Sequence, residues 1–430
     1  MKNNTTIRSA IALVGIVSLL AGFGTASANA VPAKQRVKTH SVRACSPNAT
    51  GFNATCFAQV QVVDQTGLVA NPMSSTAAAA NTGLTPANIR AAYNLTRFSS
   101  GGRTVAIVDA YAYPNAAADL AVYRSTYGLP PCTVASGCLT ILNQNGGTTP
   151  PPTVDIGWDT EQALDLDAVS AACPDCKILL VQANTSSLIN LGIAVNTAAS
   201  RPGVIAISNS YGTGADLSDS AWTGTTTIGS YYNHPTIAVT ASTGDNGNTG
   251  PSYPATSLYT VAVGGTTLLP AANARGWSET VWSGAGSGCS TQVARPPWQT
   301  SYPGCATGRA SADISAVADP NNGLIIYGPV GNSSTPVWLY AGGTSLSSPL
   351  IASMYALNSK NAGGLTYTGA GTHAAAEYIY QAPATAINDV TSGNNGACGT
   401  ALCTADVGWD GPTGRGTPRG VAALGAPYVP

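Results

Sequence analysis

Short apolar runs alternate along the chain with longer segments that read as helices. Residues 105–109, 178–181, 204–208 and 236–242 form apolar stretches of the kind expected for strands buried on both faces. Residues 116–127, 159–172 and 188–199 lie between or before them as helical segments. Strands alternating with helices predict an α/β fold with a mainly parallel central sheet and helices on both faces. Upstream, Thr85-Pro86 opens a short helix that ends near Leu95, and residues 31–80 read as an irregular N-terminal segment. There is no internal repeat.

The first thirty residues set the compartment. Lys2 and Arg8 precede an apolar run at 10–23, and Ala28-Asn29-Ala30 supplies small residues for cleavage, which predicts a signal peptide over 1–30 and a secreted, extracellular protein. The run is shorter than the ~20 residues of a membrane-spanning helix. Residues 81–430 are then expected to form one large domain, since 430 residues with 44% hydrophobic content can bury a sizeable core. Eighteen basic and nineteen acidic residues give a net charge of −1, and charged residues make up only 9%, where about 25% is usual. No basic footprint for nucleic acid and no polybasic membrane patch is present. Ten cysteines fall in five local couples, 45/56, 132/138, 173/176, 289/305 and 398/403. In an oxidising compartment an even set reads as disulfides, although sequence alone leaves their connectivity open. Cys173 and Cys176 also fit a redox pair or half of a zinc site.

Candidate chemistry begins at Gly342-Gly343-Thr344-Ser345, which precedes the apolar run at 350–357. Small residues allow a tight turn into a helix and place Ser345 at its N-terminus, where free N–H groups favour an oxyanion. The same residues also suit an ordinary helix cap. A serine nucleophile needs a base, yet His40, His234 and His373 stand in no recognisable catalytic context. The alternative is the pair Glu161 and Asp165, at i and i+4 and hence on one helix face. Two acids held together resist double ionisation and can accept a proton in acid, where histidine is already charged. Asp159 and Asp167 complete a cluster that is conspicuous in so acid-poor a chain. Asp245, in Gly244-Asp245-Asn246-Gly247, follows a strand, where parallel α/β folds place their chemistry.

Read in order, these segments resemble the sedolisin family, the serine-carboxyl peptidases with a subtilisin-like fold. The resemblance covers roughly residues 80–430. It also includes Tyr253-Pro254-Ala255, Val263-Gly264-Gly265-Thr266, Glu279-Thr280-Val281-Trp282 and Asp313-Ile314-Ser315. It implies that Ser345 is the nucleophile, Glu161 the general base and later acid, Asp165 its proton-sharing partner and Asp245 the oxyanion-site residue. It implies an acid-acting, monomeric endopeptidase of proteins or peptides. It further implies a Ca2+ site near the C-terminus, with side-chain oxygens from Asp389 and Asp410 and carbonyls from Val390, Asp406 and Gly408. The chain departs from the family pattern at Asp406, where glycine is expected, at Tyr211, where tryptophan is often found, and at Asp109, where some relatives carry glutamate. The segment before the domain, a reduced propeptide in this reading, is also short. Two other functions fit parts of the sequence: a binding protein on a catalytically silent peptidase scaffold, and a thiol-disulfide oxidoreductase using Cys173 and Cys176.

Overall fold

A computed structural model describes residues 38–47, 51–64, 66–72, 83–301, 304–359 and 375–425. The signal-peptide reading over 1–30 and His373 lie outside the described residues. The chain opens with β1 (Thr39–Arg43), β2 (Thr55–Cys56), β3 (Gln59–Val63) and α1 (Pro86–Ala92). It continues with β4 (Thr104–Ala110), α2 (Ala116–Thr126), β5 (Leu139–Asn143), α3 (Ile156–Ala172), β6 (Lys177–Ala183) and α4 (Leu188–Ala199). Next come β7 (Val204–Asn209), β8 (Tyr211–Gly212), β9 (Ala238–Ser242), β10 (Val261–Pro270), β11 (Trp277–Val281), β12 (Gly288–Ala294), β13 (Gly308–Ser311) and β14 (Ile314–Val317). The remainder is β15 (Leu324–Val330), β16 (Ser333–Gly342), α5 (Thr344–Ser359), α6 (Ala376–Gln381), β17 (Ile387–Asn388) and β18 (Thr417–Pro418).

The central sheet runs β11-β10-β9-β7-β4-β6-β5, with β14 also paired to β10. Every pairing is parallel except that of β10 with β11. Alternate side chains on its strands serve opposite faces. Val105, Ile107, Ile178 and Leu180 pack with residues of α3 and α5 such as Leu164 and Leu350. Ala106, Val108, Leu179 and Val181 pack instead with α4 through Leu191 and Val195. Burial on both faces is why these strands read as unbroken apolar runs rather than alternating ones. No helix among the described residues is long and apolar enough to cross a membrane.

The N-terminal segment is less irregular than its sequence indicates. A second, antiparallel sheet has the order β1-β3-β16-β15, so residues 39–63 are built into the domain by pairing with strands nearly three hundred residues later. Five disulfides join the five local cysteine couples. Cys173–Cys176 is one of them and ties the end of α3 to the start of β6. Both cysteines are fully buried, a poor position for thiol exchange, which needs access to the attacking sulfur.

Candidate active site

Helix α3 is capped by Asp155, whose side chain accepts the Trp158 N–H at 3.1 Å. This adds a turn, Ile156 to Trp158, ahead of the start that the sequence pattern indicates. Glu161 and Asp165 follow one turn apart, both without exposed surface. Glu161 Oε2 accepts the backbone N–H of Ala58 at 2.7 Å. The Ser210 hydroxyl lies 2.8 Å from each Asp165 oxygen. Asp159 and Asp167 do not join them. Each is two residues from the pair, about 200° around the helix. Asp167 accepts the Tyr327 N–H at 2.9 Å, and Asp159 lies near Asp155 and Asp119, whose charges help raise its pKa after burial has done most of the work.

Ser345 comes from the turn between β16 and α5. Gly343 has φ of +92°, and a Cβ there would strike the Phe57 carbonyl oxygen and come within 2.6 Å of Asp245 Oδ2. Glycine therefore meets both a left-handed backbone and a crowded site. Pro349 has no N–H to return to the Ser345 carbonyl four residues earlier. That carbonyl instead lies 3.2 Å from the Ser210 hydroxyl. The Ser345 hydroxyl donates to the Ser210 carbonyl at 3.1 Å. Ser210 thus touches both the acid pair and the candidate nucleophile. It was missed at the sequence level because its one signal was its place beside Tyr211.

Asp245 sits just past β9. Its Oδ1 accepts both the N–H and the hydroxyl of Thr344 at 2.8 Å, and Oδ2 accepts Gln59 Nε2 at 2.9 Å. Burial pushes its pKa up to about 6 despite the opposing pull of Thr344, Arg43 and Gln59. Burial also holds Glu161 well above the usual carboxylate range. The charge of Asp109 adds to that shift, while the Ser345 hydroxyl and Ala58 N–H oppose it. Asp165 is raised by burial, then by Asp109 and Glu161, with Ser210 opposing. Asp109 is raised by burial to about 8, and neither of its oxygens has a hydrogen-bond partner among the described residues. Three buried carboxyls thus crowd one another with no ion pair to any of them among the described residues, so they cannot all ionise together. Asp109 is thus the acid whose charge adds most, after burial, to the raised pKa of both Glu161 and Asp165.

The described histidines lie apart from this cluster. His40 pairs with Asp64 at 2.8 Å on the surface, and His234 contacts the Tyr231 carbonyl at 3.0 Å. Near the C-terminus, the two segments proposed from sequence do meet: the Gly408 N–H donates to Asp389 at 2.9 Å, and Asp410 takes the N–H and hydroxyl of Thr413 at 2.9 Å. The carbonyls of Val390, Asp406 and Gly408 accept no hydrogen bond from the described residues. This all-oxygen donor set is chemically suited to a hard cation, but the described residues contain no group of three His, Cys, Asp or Glu side chains arranged to hold a metal.

No family model matches the chain. Kumamolisin of Bacillus sp. (strain MN-32) is 30% identical over 381 residues, which is 81% of this chain and 64% of that protein. Sedolisin of Pseudomonas sp. (strain 101) is 35% identical over 177 residues, 39% of this chain and 28% of its own length. A solved structure of Pseudomonas sedolisin, a serine-carboxyl proteinase complexed with two molecules of pseudo-iodotyrostatin, superposes with a TM-score of 0.64 at 26% identity, covering 79% of this chain and 96% of that one. These matches support the sedolisin family for this chain. Its sheet and flanking helices have the subtilisin-like α/β arrangement found in sedolisin. It nevertheless spans less than two thirds of the length of the sedolisin-family relatives named here, 64% of kumamolisin and 28% of sedolisin.

Proposed function

We propose that this chain is a secreted serine-carboxyl endopeptidase that hydrolyses proteins or peptides in acid. The observation that carries the reading is the convergence of Ser345, at the N-terminus of α5, with the cation-free carboxyls Glu161 and Asp165 and with Asp245. In this mechanism Glu161 takes the proton from the Ser345 hydroxyl as the serine attacks the scissile carbonyl, then returns it to the departing amine. Asp165, held by Ser210, shares a proton with Glu161 and fixes its charge state. Asp245 donates to the oxyanion from its protonated carboxyl. Its pKa of about 6 gives the sign: the donor is present below that pH and lost above it. The likeness to Pseudomonas sedolisin, a serine-carboxyl proteinase, supports the reaction class.

The test is haemoglobin digestion by the wild-type chain and by Ser345→Ala, above and below the pKa of about 6 for Asp245. Digestion confined to acid and lost in the variant supports the reading, and equal digestion by the two proteins rejects it. A silent binding scaffold is favoured by one observation, that Ser345 has no exposed surface; it predicts no digestion at any pH. Calcium belongs to the same proposal. Asp389 and Asp410, with the carbonyls of Val390, Asp406 and Gly408, would hold it and clamp residues 389–410 onto the domain. Excess chelator is then expected to lower the melting temperature, because a ligand bound only by the folded state stabilises it. An unchanged melting temperature with no calcium by elemental analysis removes the metal.

A further inference from the structure

The loop that carries Asp245 has no sheet ladder of its own. Residues 243–248 follow β9 and residues 284–287 lie between β11 and β12, and neither stretch belongs to a strand or a helix. They bond to each other all the same. The Gly286 N–H donates to the Gly244 carbonyl at 2.7 Å, and the Gly247 N–H donates to the Gly284 carbonyl at 2.8 Å. Asp245 stands between those two bonds. Its side chain is held by Thr344 and Gln59 and its carbonyl by Arg43, but the position of its loop follows whatever fixes residues 284–287.

A segment from far down the chain does that. Asn395 is almost wholly buried, and its Nδ2 donates to the Ala285 carbonyl at 2.5 Å and to Ser287 Oγ at 2.9 Å. Its backbone carbonyl accepts the Asn248 N–H at 2.9 Å, so one residue grips both loops. Asn248 Nδ2 donates in turn to Ser287 Oγ at 2.8 Å and to the Leu402 carbonyl at 3.1 Å. Ser287 gives its one proton to the same Leu402 carbonyl at 2.7 Å. Both protons of each amide and the proton of the hydroxyl are thereby committed. The contact is also tight: at Gly247, whose φ is +67°, a Cβ would come within 2.5 Å of the Asn395 carbonyl oxygen. Asn395 Oδ1, by contrast, is buried with no hydrogen-bond partner among the described residues. An apolar side chain would avoid that orphaned oxygen, but it would release Ala285 and Ser287.

We propose that Asn395 is a positioning residue for the reaction: its amide fixes residues 284–287, and through them the loop 244–248, so that the Asp245 carboxyl stands where the oxyanion forms. This inference rests on the peptidase reading with Asp245 as oxyanion donor, and it assigns the support that donor needs. A donor acts only within hydrogen-bond distance of the oxyanion, so a small displacement of the loop costs rate while leaving substrate binding nearly untouched.

The experiment is a double-mutant cycle on hydrolysis of an added chromogenic peptide in acid, with Ca2+ present. It compares wild type, Asn395→Ala, Asp245→Ala and the double variant, each checked for folding by circular dichroism and counted by active-site titration. Asn395→Ala is expected to lower kcat about 10- to 100-fold and to change KM little. In the Asp245→Ala background the same substitution should cost almost nothing more, because the group it positions is already gone. An unchanged kcat in folded Asn395→Ala overturns the positioning role and leaves the peptidase reading standing. A loss of equal size with and without Asp245 also overturns it, since Asn395 would then support the fold at large. Should Asn395→Ala fail to fold, Ser287→Ala, which removes only the shared hydroxyl, goes through the same cycle and is judged by the same outcomes. Full activity in Asp245→Ala overturns the inference by removing the donor it serves. No hydrolysis by the wild-type chain at any pH overturns the peptidase reading and the inference together.

Discussion

Glu161 and Asp313 are both carboxyls with no exposed surface, but their surroundings are opposite. Asp313 receives Arg309 through two nitrogens at 2.9 and 2.6 Å, the Tyr380 hydroxyl at 2.9 Å and the Ala262 N–H at 2.8 Å. Gln299 adds a further donor at 3.2 Å. Glu161 receives one backbone N–H, and its Oε1 has no hydrogen-bond partner among the described residues. Its electrostatic neighbours include the acids Asp109 and Asp245. The first arrangement satisfies a charge and holds structure in place. The second leaves a carboxyl undercompensated, so that protonating it is favourable and its proton is available to a neighbour. In a chain with only 9% charged residues, the partner set rather than the residue type separates a satisfied buried acid from an undercompensated one.

The comparison breaks most sharply at Glu161. Glu161→Gln is expected to lower kcat on an added peptide by ~10²–10⁴, while the melting temperature holds or rises because an undercompensated buried acid has been neutralised. A loss of stability of the kind expected for an ion pair would erase the distinction. Asp313→Ala should do the reverse. Stranding Arg309 in the interior is expected to cost about 3–5 kcal/mol of folding stability, with near-normal kcat per folded molecule, as checked by denaturant unfolding and active-site titration. Asp245→Ala is expected to cost ~10²–10³ in kcat with little change in KM; full activity in a folded variant excludes it from oxyanion stabilisation.

The smallest effect is in pH dependence. The acids at the candidate site have raised pKa values, about 6 for Asp245 and about 8 for Asp109, so the folded protein holds protons that the unfolded chain has released. Their stabilisation is complete below ordinary carboxylate values near 4 and is lost as pH rises through 6 to 8. Melting temperature should therefore fall over that interval, less steeply in Glu161→Gln. A melting temperature that rises across it contradicts the undercompensated setting.

The central layers were legible because their physics is local. The pattern at 188–199 marks α4 to the residue, and those at 105–109 and 178–181 mark strands that extend one or two positions further at their ends. Glu161 and Asp165 were readable as a pair because helical spacing alone puts them on one face. The sheet made by β1, β3 and β16 was not readable. Residues 59–63 find their partner at 341–342, and no window of sequence contains both strands. The same distance hid Ala58 and Gln59, ordinary residues whose importance comes only from where β3 carries them. Asp109 was noticed as a substitution, but its lack of hydrogen-bond partners is a property of the assembled interior.

Tyr93 accepts the Val317 N–H at 2.8 Å, donates to Glu279 at 2.9 Å and offers its own carbonyl to the Gly420 N–H at 2.8 Å. Along with the pairing of β3 and β16, this ties the beginning of the domain to stretches made much later in synthesis. Closure over such sequence distances is slow and comes late. Between the synthesis of residues 165 and 345 the growing polypeptide therefore carries Glu161 and Asp165 without Ser345 or the helix that presents it. The candidate groups first coexist once Ser345 has been made, and until then the ribosome carries an unassembled site.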